Sequence, residues 1–171
     1  VVARGERALY LREHGLKVHG MTALSEHCEV SEKVDPEIDC DVLIFSVKTY
    51  QMSEALETTK DLQPDVVFSL ANGLKKNEQL KAYFPSSKRL GCMANFSGEL
   101  LECGSVKFTR NVSLNIDGNC REGREIAEIF ASSGLNSIAD DRIEATEWSK
   151  FTGWIPLFAL SILTRSPIGQ F

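Results

Sequence analysis

Four residues have the types and settings to act on a ligand: Arg4, Lys48, Asn72 and Lys150. Lys48 ends the run Asp41-Val-Leu-Ile-Phe-Ser-Val-Lys48, and Asn72 ends Asp65-Val-Val-Phe-Ser-Leu-Ala-Asn72-Gly73. Both runs are β-branched and apolar, as buried strands are, and each stops on a group suited to hydrogen bonding. With a helix-like segment between them, one parallel sheet would bring Lys48 and Asn72 together at its carboxyl edge, where open α/β sheets bind ligands. Position alone leaves a second reading of each. Lys48 could be a surface residue just past the edge, and Asn-Gly is a common turn pair because both residues tolerate positive φ.

Arg4 and Gly5 follow the apolar residues Val1-Val2-Ala3. In dinucleotide folds the end of the second strand approaches the adenosine ribose, where an acid suits the 2′-hydroxyl of NAD and Arg the 2′-phosphate of NADP. The simpler reading is a solvated Arg at a helix start. No G-x-G-x-x-G occurs in the 171 residues; such a loop would precede Val1 by about one helix. Lys150 stands between Trp148 and Phe151, and either snorkels past them or is held close to a substrate carbonyl. Pro156 removes a donor to the Thr152 carbonyl and should kink its helix. His14, His19 and His27 form no ligand or triad set and read as exposed loop residues. Asp140, Asp141, Glu144 and Glu147 read as acids that cap and polarise the start of the last helix.

The elements that position these groups alternate. A short initial strand leads to a helix over Glu6 to His14, ended by Gly15, and a strand over Leu16 to His19. Residues 21–39 are polar and irregular, with one strand around Cys28 to Val30. Strand 41–47, a helix over Gln51 to Leu62, strand 65–71 and a helix over Lys76 to Phe84 follow, the helices stopped by Pro64 and Pro85. Leu90 to Phe96, Ser105 to Thr109 and Val112 to Ile116 read as strands of an antiparallel addition. Glu122 to Ser132 is an amphipathic helix, and Asn136 to Ala139 a last short strand. From residue 142 to about 164, Trp148, Phe151, Ile155, Phe158 and Ile162 recur at steps of three and four, one apolar helical stripe. The fold class is α/β: a Rossmann-like domain with an antiparallel extension, followed by the start of an all-helical domain. The division predicted is residues 1–140 and 141–171.

Hydrophobic content of 43% and charge of 25% are those of a globular domain. A net charge of −5 argues against a nucleic-acid or anionic-membrane surface. The longest apolar run, Phe151 to Leu163, contains Pro156 and is too short for a membrane span. Five scattered cysteines without a C-x-x-C pair predict reduced thiols, a cytoplasmic setting and no metal site. Both ends read as cut, so the chain is taken as a fragment.

Together these pieces resemble the ketopantoate reductase (2-dehydropantoate 2-reductase) family. The matching segments are Ala3-Arg-Gly5, Asp41 to Gln51, Ser69-Leu-Ala-Asn-Gly-Leu74, Glu147-Trp-Ser-Lys-Phe151 and Ala159 to Pro167. The resemblance implies NADPH as cofactor and reduction of a 2-oxo acid to a 2-hydroxy acid, ketopantoate to pantoate in pantothenate biosynthesis. It implies that Arg4 receives the 2′-phosphate and Lys48 lies near the cofactor. Asn72 would touch both nicotinamide ribose and substrate, and Lys150 would be the catalytic lysine, stabilising charge on the carbonyl oxygen and supplying its proton. A homodimer is an assembly open to such a protein. Four and eight positions after the catalytic lysine the family commonly carries asparagines facing substrate, whereas this chain has Trp154 and Phe158. A non-catalytic dinucleotide-binding or interaction protein that keeps the fold is the alternative.

Overall fold

The computed structural model describes residues 1–168 and 170. In chain order it forms α1 (Gly5–His14), β1 (Leu16–Gly20), β2 (Leu24–Glu26), β3 (Val42–Phe45), a 3-10 turn (Thr49–Gln51), α2 (Met52–Thr59), β4 (Val66–Ser69) and α3 (Lys75–Tyr83). β5 (Lys88–Arg89), β6 (Cys92–Leu100), β7 (Val106–Asp117), α4 (Arg121–Ser132), β8 (Ser137–Asp140) and α5 (Ile143–Thr164) complete it. The expected α/β alternation is present. The segment expected over 141–171 includes Gly169 and Phe171, which lie outside the described residues.

Its strands form two sheets rather than one. β3, β4 and β5 are parallel neighbours, and β2-β1-β7-β6 form a mixed sheet in which β8 also pairs with β7. β6 and β7 are antiparallel, the extension the sequence predicts, while β1 and β8 run parallel to β7. The chain steps from one sheet to the other at residues 89–92, where the Leu90 amide donates to Val67 (3.1 Å) and the Gly91 carbonyl accepts from Asp117 (3.0 Å).

β4 explains where the core sits. All four of its residues are buried, and alternate side chains enter different layers, as the period of two requires. Val66 and Phe68 join Leu90, Cys92, Leu114, Ile116, Ile126 and Ala127 against α4. Val67 joins Phe45, Met52, Leu56, Leu80 and Phe84 against α2 and α3. α4 lies so close to the sheet that a Cβ on Gly123 would stand 1.8 Å from the Asp117 carbonyl oxygen.

Several expectations are corrected. Val1 to Arg4 is not a strand; it contributes a single parallel bridge, Val2 to Ser31. The strand expected at Cys28 to Val30 forms instead at Leu24–Glu26, where it can pair with β1. The two strands expected over 105–116 are one continuous β7, which bulges rather than breaks: Asn95 and Phe96 pair with Ser113 and Asn111, and Ser97 and Gly98 with Arg110 and Phe108, so Val112 and Thr109 are its extra residues. His14 closes α1 with its ring stacked on Tyr10 (4.8 Å), and His19 lies in β1, so neither is a loop residue.

α5 turns a different face to the sheets than its apolar stripe suggests. Ile143, Thr146, Glu147, Lys150, Trp154, Leu157 and Ser161 are the buried or half-buried positions, while Trp148 (50% exposed) and Ile162 (77%) look outward. The helix continues through Pro156. No helix among the described residues is long and apolar enough to cross a membrane.

Candidate active site

β3 and β4 pair in parallel with Phe45 opposite Ser69. Lys48 and Asn72 each lie three residues beyond that pair, so the chain delivers both to the same sheet edge. The Thr49 hydroxyl donates to the Asn72 carbonyl (3.1 Å), tying the two strand ends together. The Lys48 amide donates to Gln51 Oε1 (3.2 Å), which starts the 3-10 turn and leaves the lysine side chain exposed. Gly73 follows with φ +90°, a conformation few L residues adopt, and the turn it makes exposes the Asn72 amide.

Lys150 reaches this edge from α5. Its Nζ donates to Asn72 Oδ1 (2.9 Å) and to the Ala94 carbonyl on β6. An ammonium has three N–H donors; among the described residues two find these acceptors and the third has none. Burial pushes the Lys150 pKa down from the ordinary lysine value, and the charges of Lys76 and Arg110 push the same way. The nearby Cys92 thiol is pushed up to about 12 by burial, so it is no thiolate nucleophile.

Arg4 stands apart from that cluster. Its exposed guanidinium donates to Glu54 and to Thr58 Oγ1 (3.2 Å) on α2. Gly5 opens α1 beside it, and a Cβ there would meet nothing within 4 Å. This leaves room at a helix N-terminus for an anion.

A family profile described as Ketopantoate reductase PanE/ApbA matches residues 1–119. The chain belongs to this family. The 2-dehydropantoate 2-reductase of Pyrococcus horikoshii is 26% identical over 156 residues, covering 88% of this chain and 50% of that protein. An uncharacterized oxidoreductase of Bacillus subtilis, YkpB, is 27% identical and covers 98% of this chain and 58% of its own. The chain thus spans about half the length of the curated relatives it matches. Among solved structures, a 2-dehydropantoate 2-reductase from Porphyromonas gingivalis W83 superposes with a TM-score of 0.84 at 19% identity, covering 98% of this chain and 62% of the other. One from Geobacter metallireducens GS-15 gives 0.81 at 22%, covering 98% and 58%. At such identities the likeness speaks for the fold.

In this ketopantoate reductase family member, three of the four residues picked from sequence meet at one edge: Asn72 and Lys150 in contact, Lys48 beside them on the adjoining strand end. Trp154 and Phe158 lie on the next turns of α5, their rings stacked at 5.5 Å. Sequence reading missed Lys76 and misplaced Glu147. Glu147 does not polarise the helix start from solvent; it is buried against Lys76 (Nζ to Oε1 3.1 Å). Asp140, two residues before the N-cap Arg142, is not itself the cap; it accepts from the Arg142 amide (2.8 Å) and Thr146 Oγ1 (2.6 Å). A signal for Lys76 was present: with Leu80 and Phe84 it falls on the apolar face of its helix, where a lysine needs a buried partner. A cleft of about 720 Å³ opens beside the pair, against Asn77, Arg89, Arg142 and Trp148; Asn72 and Lys150 do not line it.

Proposed function

We propose that this family member reduces a 2-oxo acid to the 2-hydroxy acid with NADPH, with residues 1–140 forming the dinucleotide-binding unit and 141–171 opening a helical one. One observation carries the reading: Lys150, held between Asn72 Oδ1 and the Ala94 carbonyl at the carboxyl edge of a parallel sheet, keeps an N–H free. The bound nicotinamide would supply hydride to the ketone carbon. As that carbon becomes tetrahedral, negative charge grows on its oxygen. Lys150 donates to the oxygen, stabilises the charge and gives up the proton. Its lowered pKa, caused first by burial, brings the ammonium closer to the acidity a proton donor needs near neutral pH. Asn72 holds Lys150 through Oδ1, and its exposed amide nitrogen is free to meet substrate or ribose. Lys48, exposed beside it, serves the cofactor side.

A dinucleotide suits the residues present. The open N-terminus of α1 beside Gly5 and the fork of Arg4 together suit a phosphate, and a 2′-phosphate would draw Arg4 from Glu54. This supports NADPH over NADH. The relatives named 2-dehydropantoate 2-reductase support a 2-oxo acid as substrate, and a solved D-mandelate dehydrogenase with NADH and anilino(oxo)acetate shares the fold (TM-score 0.72 at 20% identity, 85% of this chain and 49% of that one). The stacked Trp154 and Phe158, where the family commonly offers amides, favour a substrate with an apolar substituent over ketopantoate. They also favour the second reading, a dinucleotide-binding protein without turnover. Five free thiols suit the cytoplasm, and sedimentation distinguishes monomer from homodimer.

The test is NADPH oxidation by the full-length protein against a panel of 2-oxo acids. Turnover of at least one, with apolar members preferred, supports the enzyme. NADPH binding without turnover of any supports the second reading.

A further inference from the structure

The buried pair beside Lys150 has no part in the reaction as proposed. Lys76 and Glu147 are 6% and 5% exposed, and charged residues are rarely so buried. Lys76 Nζ donates to the Ser69 carbonyl at the end of β4 (3.1 Å) and to the Cys92 carbonyl of β6, and its third partner is Glu147. Three acceptors match three donors, so the ammonium is fully satisfied. Glu147 in turn accepts from the Cys92 amide (3.3 Å) and from Asn77 Nδ2 (2.8 Å). The pair therefore joins β4, β6, α3 and α5 at one point, where β4 and β6 belong to different sheets.

β6 is the terminal strand on its side of its sheet, and an open strand edge must have its backbone groups satisfied by something. Here side chains do so. Glu147 takes the Cys92 N–H, Lys76 the Cys92 carbonyl and Lys150 the Ala94 carbonyl. Glu147 precedes Lys150 by three residues on α5, and residues so spaced share a helix face. The carbonyls that hold the two ammonium groups are two residues apart on one strand, about 7 Å.

Resting on the role proposed for Lys150, we infer that the Lys76–Glu147 pair is its positioning device: Glu147 clamps the helical turn that carries Lys150 to the edge of β6, and Lys76 sets a second positive charge beside it. A pair serving stability alone has less to recommend it, because buried ion pairs can usually be replaced by apolar groups without loss. The charged or titratable groups that act on Lys150 are Lys76 from α3, Cys92 from β6 and Arg110 from β7; Glu147, one turn earlier on the same helix, stands beside them against Lys76 and Cys92. Glu147 balances Lys76. Removing either alone must therefore move the acidity of Lys150, and in opposite directions.

The test measures acetic anhydride labelling of Lys150 against pH in the full-length protein, read by peptide mass spectrometry. Glu147→Gln keeps an acceptor for Lys76 and the Cys92 amide while removing the negative charge. The Lys150 midpoint should fall by about one pH unit. Lys76→Met removes the positive charge, and the midpoint should rise by about as much. Should either single variant fail to fold by circular dichroism, Lys76→Met with Glu147→Leu replaces the pair by apolar volume; both charges leave together, so its midpoint should stay close to the parent's while kcat falls by about tenfold or more because the clamp on Lys150 is gone. Unmoved midpoints in folded single variants, shifts of the same sign in both, or a double variant with the parent's kcat overturn the inference. Turnover of Lys150→Ala keeps the two claims apart. If it is abolished while midpoints stay put, the positioning role fails and the proposed reaction stands. If midpoints shift as expected but Lys150→Ala still turns over, the catalytic role of Lys150 fails instead.

Discussion

Replacing Lys150 by Ala removes one group with two proposed duties, charge stabilisation and proton donation. A single preorganised donor to a developing oxyanion is worth about 10²–10³ in rate, and a positioned general acid about 10²–10⁴. One ammonium does both, so the terms overlap rather than multiply. A loss of about 10³ in kcat/KM, roughly 4 kcal/mol, is the expected magnitude. The structural cost is small. Lys150 is half-buried, so the Ala94 carbonyl and Asn72 Oδ1 that it leaves can turn to water. Stability should fall by about 1 kcal/mol and Tm by about 2–4 °C. Affinity for NADPH should stay within about threefold, since the role proposed for Lys150 is toward the carbonyl and not the phosphates. The assay follows loss of reduced-nicotinamide absorbance with the best 2-oxo acid, alongside NADPH titration by fluorescence. A variant within about tenfold of the parent in kcat/KM would refute the reasoning, because less than one duty would then have been lost.

Arg4→Ala should weaken NADPH by about tenfold or more through loss of a charge-assisted phosphate contact, and NADH hardly at all; equal losses in parallel titrations would count against a 2′-phosphate role. Gly123→Ala forces a Cβ to within 1.8 Å of the Asp117 carbonyl oxygen, so α4 must shift off the sheet. Urea unfolding should show a loss of about 1–3 kcal/mol, and an unchanged midpoint would contradict the close approach. Asp140→Asn probes a linkage. Burial pushes the Asp140 carboxyl up, but donors at Thr146, Arg142 and Asn115 outweigh it and hold the pKa below the ordinary value. A group bound this way stabilises fully above the unfolded Asp pKa of about 3.9 and loses that contribution as pH falls through the lower folded value. The stability gap between parent and variant should thus be present at neutral pH and close in acid; a gap independent of pH would sink the assignment.

Elements with a strong local period were legible in the sequence almost to the residue. β3 and β4 are runs bounded by Asp and a polar end, and α3 and α4 stop where Pro85 and Gly134 require. Lys48 and Asn72 were legible as neighbours because both strands end alike and short α crossovers make such strands parallel. Arg110 and Asn111 resemble a loop inside β7; the irregularity there takes the form of two extra residues, Thr109 and Val112, that the pairing with β6 spans without a break. Glu147 falls in one acidic run with Asp140, Asp141 and Glu144 at the start of α5, and nothing local distinguishes the buried acid from the exposed Asp141 and Glu144. The contact of Lys150 with Asn72 spans 78 positions, a pairing no periodicity reports.

The sequence by itself determined the α/β alternation, the parallel strand ends and the residue types that could serve a dinucleotide and a carbonyl, because each of these is written in spacing along the chain. Tertiary structure alone decided which face of α5 turns inward. An apolar stripe predicts burial, yet the open edge of β6 presents N–H and C=O groups that only polar side chains can satisfy. Glu147 and Lys150 meet that need, so the helix packs through the face that carries them with Ile143, Trp154 and Leu157, and the catalytic candidate is set where Asn72 waits.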